Sequence, residues 1–277
     1  MNIFELAAQN SDALRTKYGK LRSWFENQNH LSSLEGFVEQ VNTHRRLGIN
    51  MRLDKINGMM SSGRHKNRYE LAEEEHARQP TKSREQILRE RLKRFYEARM
   101  AFDRFFDNGE RFRYCSLNIG SLGTTYYGEY CVILKQAFLD NCLYLAFIKE
   151  DSLKGYILPD STVNVDRLKA EIADKDHVHI LAAVKHQGNL QTTPPEKWDL
   201  MVCGGNAYIE AITTQEILVP TVGSVRLNRH IYREHFNNLY RRYSGLTESA
   251  QRRVRNFRDL LRSLRRHRIE LELIDEN

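Results

Sequence analysis

Two carboxylates, Glu210 and Glu216, sit inside an otherwise apolar stretch, Asn206-Ala-Tyr-Ile-Glu-Ala-Ile-Thr-Thr-Gln-Glu-Ile-Leu-Val-Pro220. Burying an unpaired carboxylate is unfavourable, so an acid in a core strand is either paired or put to use. The plainer alternative is an edge strand with Glu216 facing water. His177 and His179 alternate with Val178 and Ile180. On a strand they share a face and suit general acid and base in a metal-independent ribonuclease, against the commoner outcome of a satisfied histidine pair. The four cysteines, Cys115, Cys131, Cys142 and Cys203, have no C-x-x-C spacing. They read as small buried hydrophobes, and a zinc set made from them with His177, His179 or His186 has no spacing signature. Gly120-x-x-Gly123 is too short for a dinucleotide fingerprint, and P-loop, G-x-S-x-G and H-E-x-x-H patterns are absent.

Gln215-Glu-Ile-Leu-Val-Pro220, followed by Ser224-Val-Arg-Leu227, resembles the late strand of the ADP-ribosyltransferase superfamily, especially its toxin-like branch. There a glutamate opens a strand ending in proline. The resemblance covers residues 110 to 235 at most. It implies NAD as substrate, with Glu216 as the catalytic carboxylate and Glu210 in reserve. It places Arg111-Phe-Arg-Tyr-Cys-Ser-Leu-Asn118 on the family's first strand and Thr124-Thr-Tyr-Tyr-Gly128 near its second motif. Arg113, or Arg111 on the same strand face, then clamps the pyrophosphate through a bidentate fork. Tyr127 or Tyr126 stacks on the positively charged nicotinamide ring, and Tyr114, Ser116, Asn118 and Thr125 complete the cofactor-binding set. A surface salt bridge is the plainer role for Arg113, and sheet packing for Tyr127. Cleavage of the nicotinamide–ribose bond passes through an oxocarbenium-like state that a carboxylate near C1′ stabilises. Position 214 is Thr, where the arginine-specific pattern E-x-E has an acid. Arginine side chains are thus disfavoured as acceptors relative to nucleobases or other groups.

The elements that must hold these residues are read from periodicity and punctuation. Helical spacing predicts helices over 11–27 and 31–47, a loop over 57–63, and a charged run over 64–84 that is mobile or awaits a partner. A long helix follows, with Ile87, Leu88, Leu92, Phe95, Phe102 and Phe106 on one stripe. Strands are predicted over 111–119, 124–134, 141–148, 154–158, 178–184, 198–203 and the 206–220 stretch, with a short helix over 165–174. Helices over 231–242 and 247–267 close the chain, Thr247 capping the second. The expected fold is α+β. It comprises a helical region over 1–107, a mostly antiparallel split-sheet body of ADP-ribosyltransferase type over 108–230, and an Arg-rich helical segment over 231–277.

The composition describes a soluble globular protein, with no membrane span or signal peptide expected and a cytoplasmic setting. Its net charge of +7 is unevenly placed. From Arg226 to Arg268 there are thirteen arginines, no lysine, and only Glu234, Glu248 and Asp259 in opposition, giving +10 and leaving the rest slightly acidic. Such an end suits nucleic acid, against the alternative of a solvated helix face. The leading expectation is a toxin-like ADP-ribosyltransferase acting on a macromolecule, with a neutralising protein partner as in a toxin–antitoxin pair. Its rivals are a non-catalytic nucleic-acid-binding or assembly protein and the histidine ribonuclease.

Overall fold

The computed structural model describes residues 1–240 and 247–275. Ten strands are present among them: β1 (Arg46–Met51), β2 (Arg113–Asn118), β3 (Tyr130–Leu134), β4 (Leu145–Ile148), β5 (Ile172–Ala173), β6 (Cys203–Gly204), β7 (Ala207–Tyr208), β8 (Glu210–Thr213), β9 (Val222–Asn228) and β10 (Glu270–Ile274). Eight form one sheet in the order β10-β9-β3-β1-β2-β8-β4-β5, and β6 and β7 make a separate ribbon. All neighbours in the sheet are antiparallel except β9 and β10. The fold is therefore mixed, with a mostly antiparallel sheet, as α+β patterning leads one to expect.

The register sorts side chains onto two faces. Gly48, Ser116, Glu210 and Ile148 are aligned across β1, β2, β8 and β4 and share one face. Leu47, Leu117, Ala211 and Phe147 take the other. That second face joins the main core with Leu14, Phe25, Phe37, Ile56, Phe257 and Leu260 from the surrounding helices. Ile148 and Ile212 on the first face pack in a smaller cluster with Leu6, Phe102, Phe106 and Tyr156.

The sheet does not respect the expected boundary near residue 107. Arg46–Met51 is a central strand contributed by the N-terminal region. Leu47, Ile49 and Met51 alternate inward with a period of two, whereas the helix expected over 31–47 ends at His44. The C-terminal segment likewise contributes β10 at the sheet edge. Residues 57–63 are mostly helical (Leu53–Ser62), and the charged run contains the helix Arg68–Arg78, closed at its N-terminus by an Asn67/Glu70 capping box. Ion pairs such as Arg91–Glu75 and Arg84–Glu110 hold this segment. The charges of this run find partners within the protein, which is why it folds as helix and not as a mobile segment.

Other expected strands are helices. Residues 178–184 lie in Val178–His186, and 198–203 mostly in Trp198–Val202. The 154–158 stretch begins inside Ser152–Gly155, and 141–148 splits into the end of helix Gln136–Asn141 and β4. Short apolar runs carry both periods, and packing decides between them. The long helix breaks at Lys93, whose φ is +49°, into Arg84–Leu92 and Tyr96–Phe105. The final helices are Arg229–Tyr240 and Glu248–His267, with the Thr247 side chain accepting from the Ala250 N–H; residues 241–242 of the expected first helix lie outside the described residues. The cysteines are buried free thiols.

Candidate active site

Glu210 opens β8 between Ser116 of β2 and Ile148 of β4, and only 3% of it is exposed. Its Oε2 accepts the Ser152 N–H at 2.8 Å. Burial raises its pKa to about 7, with Arg99 opposing the shift and Asp151 adding to it. Near neutrality the carboxyl is thus poised between its two states.

Arg99 comes from helix Tyr96–Phe105 and is itself buried. Its guanidinium lies 3.8 Å from the centre of the Tyr114 ring, and Nη1 reaches Asp103 at 3.4 Å. Asp103 also accepts the hydroxyls of Tyr69, at 2.8 Å, and Tyr114. The Arg99 Nε is buried with no hydrogen-bond partner among the described residues. Arg68, the first residue of helix Arg68–Arg78, lines the same space. Burial and then Arg99 depress its pKa.

Tyr127 and Tyr208 close the other side. Both hydroxyls donate to Asp151 Oδ2 at 2.9 Å and stand 3.3 Å apart. The loop that carries Tyr127 is pinned to β1 by Asn50. Its Nδ2 donates to the Leu122 and Gly128 carbonyls and its Oδ1 accepts the Thr124 N–H. Gly128 is required there, since a Cβ would fall 2.1 Å from the Met51 carbonyl carbon. The result is a cleft of about 180 Å³ lined by Asn50, Arg68, Arg99, Ser116, Tyr127 and Glu210, among others.

Four of the sequence-predicted site residues meet here: Glu210, Tyr114, Ser116 and Tyr127. Glu216 does not. It follows β8 with its own side chain exposed between the intermediate Gln215 and the buried Ile217, and pairs with Arg64 at 3.0 Å. Arg113 alternates with Tyr114 and so leaves the cleft face. It is buried and binds both Glu70 oxygens, at 3.0 and 3.1 Å, so its fork is filled from within. Arg111 lies in the turn Gly109–Arg111 before β2. Asn118 is committed to Ser121, the Gly120 N–H and Arg226. Thr125 is exposed in the turn Thr125–Tyr127, and Thr124 lines the cleft instead.

The histidines do not share a face. His177 precedes helix Val178–His186 and bonds Asp174 at 2.7 Å, while burial lowers the His179 pKa to about 4. Sequence reasoning missed Arg68, Arg99, Asp151 and Tyr208. One signal was present: Leu92, Phe95, Arg99, Phe102 and Phe106 follow a 3-4-3-4 spacing, which places a cation in an apolar stripe. Neither a family model nor a curated protein sequence matches this chain.

A buried carboxyl near its midpoint, two guanidiniums in the same cleft and a tyrosine-lined mouth suit a ligand with an anionic group and a flat group.

Proposed function

We propose that the cleft transfers the ADP-ribosyl group of NAD, with Glu210 in place of Glu216 as the carboxylate at the reacting carbon. The C1′–N bond breaks, and nicotinamide leaves with its electron pair as the neutral base. An acceptor atom bonds to C1′ and releases its proton to solvent. Ionised Glu210 stabilises the positive charge that develops on the sugar. Arg68 and Arg99 are the groups available for the pyrophosphate, and the half-exposed Tyr127 ring for the nicotinamide.

The observation that carries this reading is Glu210 buried on the cleft wall with Arg99 close enough to oppose its pKa shift. The cleft is smaller than the roughly 300–1,000 Å³ usual for drug-sized ligands. It therefore takes the nicotinamide–ribose end and leaves the adenosine outside. The split-sheet body implied by the resemblance meets a single eight-stranded sheet here, so the reading rests on the cleft and not on fold likeness. With Glu210 as catalytic acid, the residue two before it is Tyr208, so the E-x-E pattern is again absent. Nucleic acid is favoured over arginine as acceptor.

Labelled NAD incubated with DNA, RNA or lysate tests the proposal. Label transfer or nicotinamide release should disappear in Glu210→Gln and survive in Glu216→Gln. No turnover by the wild type, or equal turnover by Glu210→Gln, overturns it. Such an activity harms its own cell, which is the reason to expect a neutralising partner. Expression of the wild type should arrest growth where Glu210→Gln does not.

A further inference from the structure

The helix Glu248–His267 buries Val254, Phe257, Leu260 and Leu264 in the core on the sheet face opposite Glu210. Its outer side carries a row of arginines, with Glu248 and Asp259 the two acids on the same arc. At 100° per residue, Arg252, Arg255, Arg262 and Arg266 fall within roughly 80° of one another, along roughly 21 Å of helix. All four are exposed, as are Arg258 and Arg265 on the flank.

Arginines elsewhere in the protein are commonly held by carboxylates, as in Arg22–Glu35, Arg89–Glu97, Arg167–Glu171 and Arg226–Glu272. On this helix Arg255, Arg265 and Arg266 have no carboxylate within 4.0 Å among the described residues. Among the described residues Arg252 and Arg262 have only exposed local carboxylate partners, Glu248 at 3.5 Å and Asp259 at 3.3 Å.

We propose that this ridge binds the phosphate backbone of duplex DNA, at a surface separate from the Glu210 cleft. The proposal rests on the helix alone and does not depend on the ribosyl-transfer reading. Planar guanidinium forks match phosphate oxygens bidentately, and the run contains no lysine. No large hydrophobic side chain is exposed on the described part of this segment. The ridge therefore lacks the apolar face that a membrane-surface helix inserts and the aromatic anchors of a protein interface. It also lacks the stacking rings of a single-strand binder. A length of roughly 21 Å spans about six phosphate steps of one DNA strand. The major groove of B-form DNA admits a helix, whereas that of A-form RNA is too narrow.

The test is binding of the full-length protein to a short labelled DNA duplex between about 50 and 200 mM salt. The expected result is affinity that falls steeply with salt. The triple variant Arg255→Ala, Arg262→Ala, Arg266→Ala should bind at least tenfold more weakly, with a log–log salt slope shallower by about 3, at about 0.9 per lost phosphate contact. Glu210→Gln should bind like the wild type. No salt dependence, unchanged affinity in the triple variant, or tighter binding to an RNA duplex, acidic vesicles or an acidic peptide overturns the proposal. If DNA binds and NAD is not consumed, the ridge stands while the cleft reading falls.

Discussion

Tyr127 and Tyr208 donate their hydroxyls to the same oxygen of Asp151, each at 2.9 Å. The other oxygen of Asp151 accepts the Leu153 N–H, and Ser152 between them supplies the N–H that holds Glu210. One short segment thus fixes both the mouth and the wall of the cleft.

Asp151→Ala removes the acceptor that the Tyr127 and Tyr208 hydroxyls share and leaves them only each other, 3.3 Å apart. A loss of about 1–3 kcal/mol of stability is expected in urea titration. Because the chemistry-bearing carboxyl is also loosened, both KM and kcat should change. Tyr127→Phe, which keeps the ring, should affect stability less than Asp151→Ala does.

The raised pKa of Glu210 gives stability a definite pH dependence. The folded state keeps a proton up to about pH 7 that the unfolded chain releases near 4.5. The stabilising contribution is therefore complete below about 4.5 and is lost as pH rises to 7. Glu210→Gln removes this loss, so at pH 8 the variant should be more stable than the wild type by up to roughly 3 kcal/mol. At pH 4 that advantage should vanish. If ionised Glu210 supports transfer, wild-type activity should rise with pH through about 7. Parallel denaturation and rate measurements across this range check both.

Arg113 and Glu216, expected to face one another across a ligand, are linked instead through Arg64 and Glu70. The chain of charges runs from a buried guanidinium to an exposed carboxylate, and its two ends should respond differently. Glu216→Gln removes an exposed pair and should change stability by less than about 1 kcal/mol. Glu70→Gln strips the buried Arg113 of its charged partner and should destabilise by roughly 3–5 kcal/mol. Equal effects in thermal or chemical denaturation would contradict this ordering.

Much of the cleft was legible as residue types and little of it as geometry. Tyr114, Ser116 and Tyr127 lie in one extended-looking region, and Glu210 is an acid among β-formers, so local patterning finds them. Glu210 and Glu216 cannot be ranked that way, because strand β8 ends at Thr213 and only the pairing with β2 and β4 reveals it. Arg68 and Arg99 reach the cleft through helical packing from far upstream. Local spacing carries no record of that long-range contact, apart from the cation in the apolar stripe. The core strand β1 was concealed for a related reason: only three inward residues, Leu47, Ile49 and Met51, carry its period of two, a short run directly after a helix.

Two glycines separate the positioning of the cleft from simple chain stability. Gly19 lies exposed in helix Ser11–Asn27, where an added Cβ meets nothing within 4 Å. Gly19→Ala should stabilise the protein by roughly 0.5–1 kcal/mol through helix propensity and leave ligand binding unchanged. Gly128 touches β1 so closely that an alanine Cβ would stand 2.1 and 2.3 Å from the Met51 carbonyl carbon and oxygen. Those are backbone atoms of a central strand and cannot swing aside as a side chain would. Gly128→Ala should therefore push the Tyr127 turn off β1 and stretch the Asn50 bond to the Gly128 carbonyl, now 3.0 Å. Near-ultraviolet circular dichroism should report the altered tyrosine environment, and any turnover of NAD should fall with it. Restored signals and wild-type stability in Gly128→Ala would mean that the loop can shift as a unit, and that Asn50 does not set the position of Tyr127.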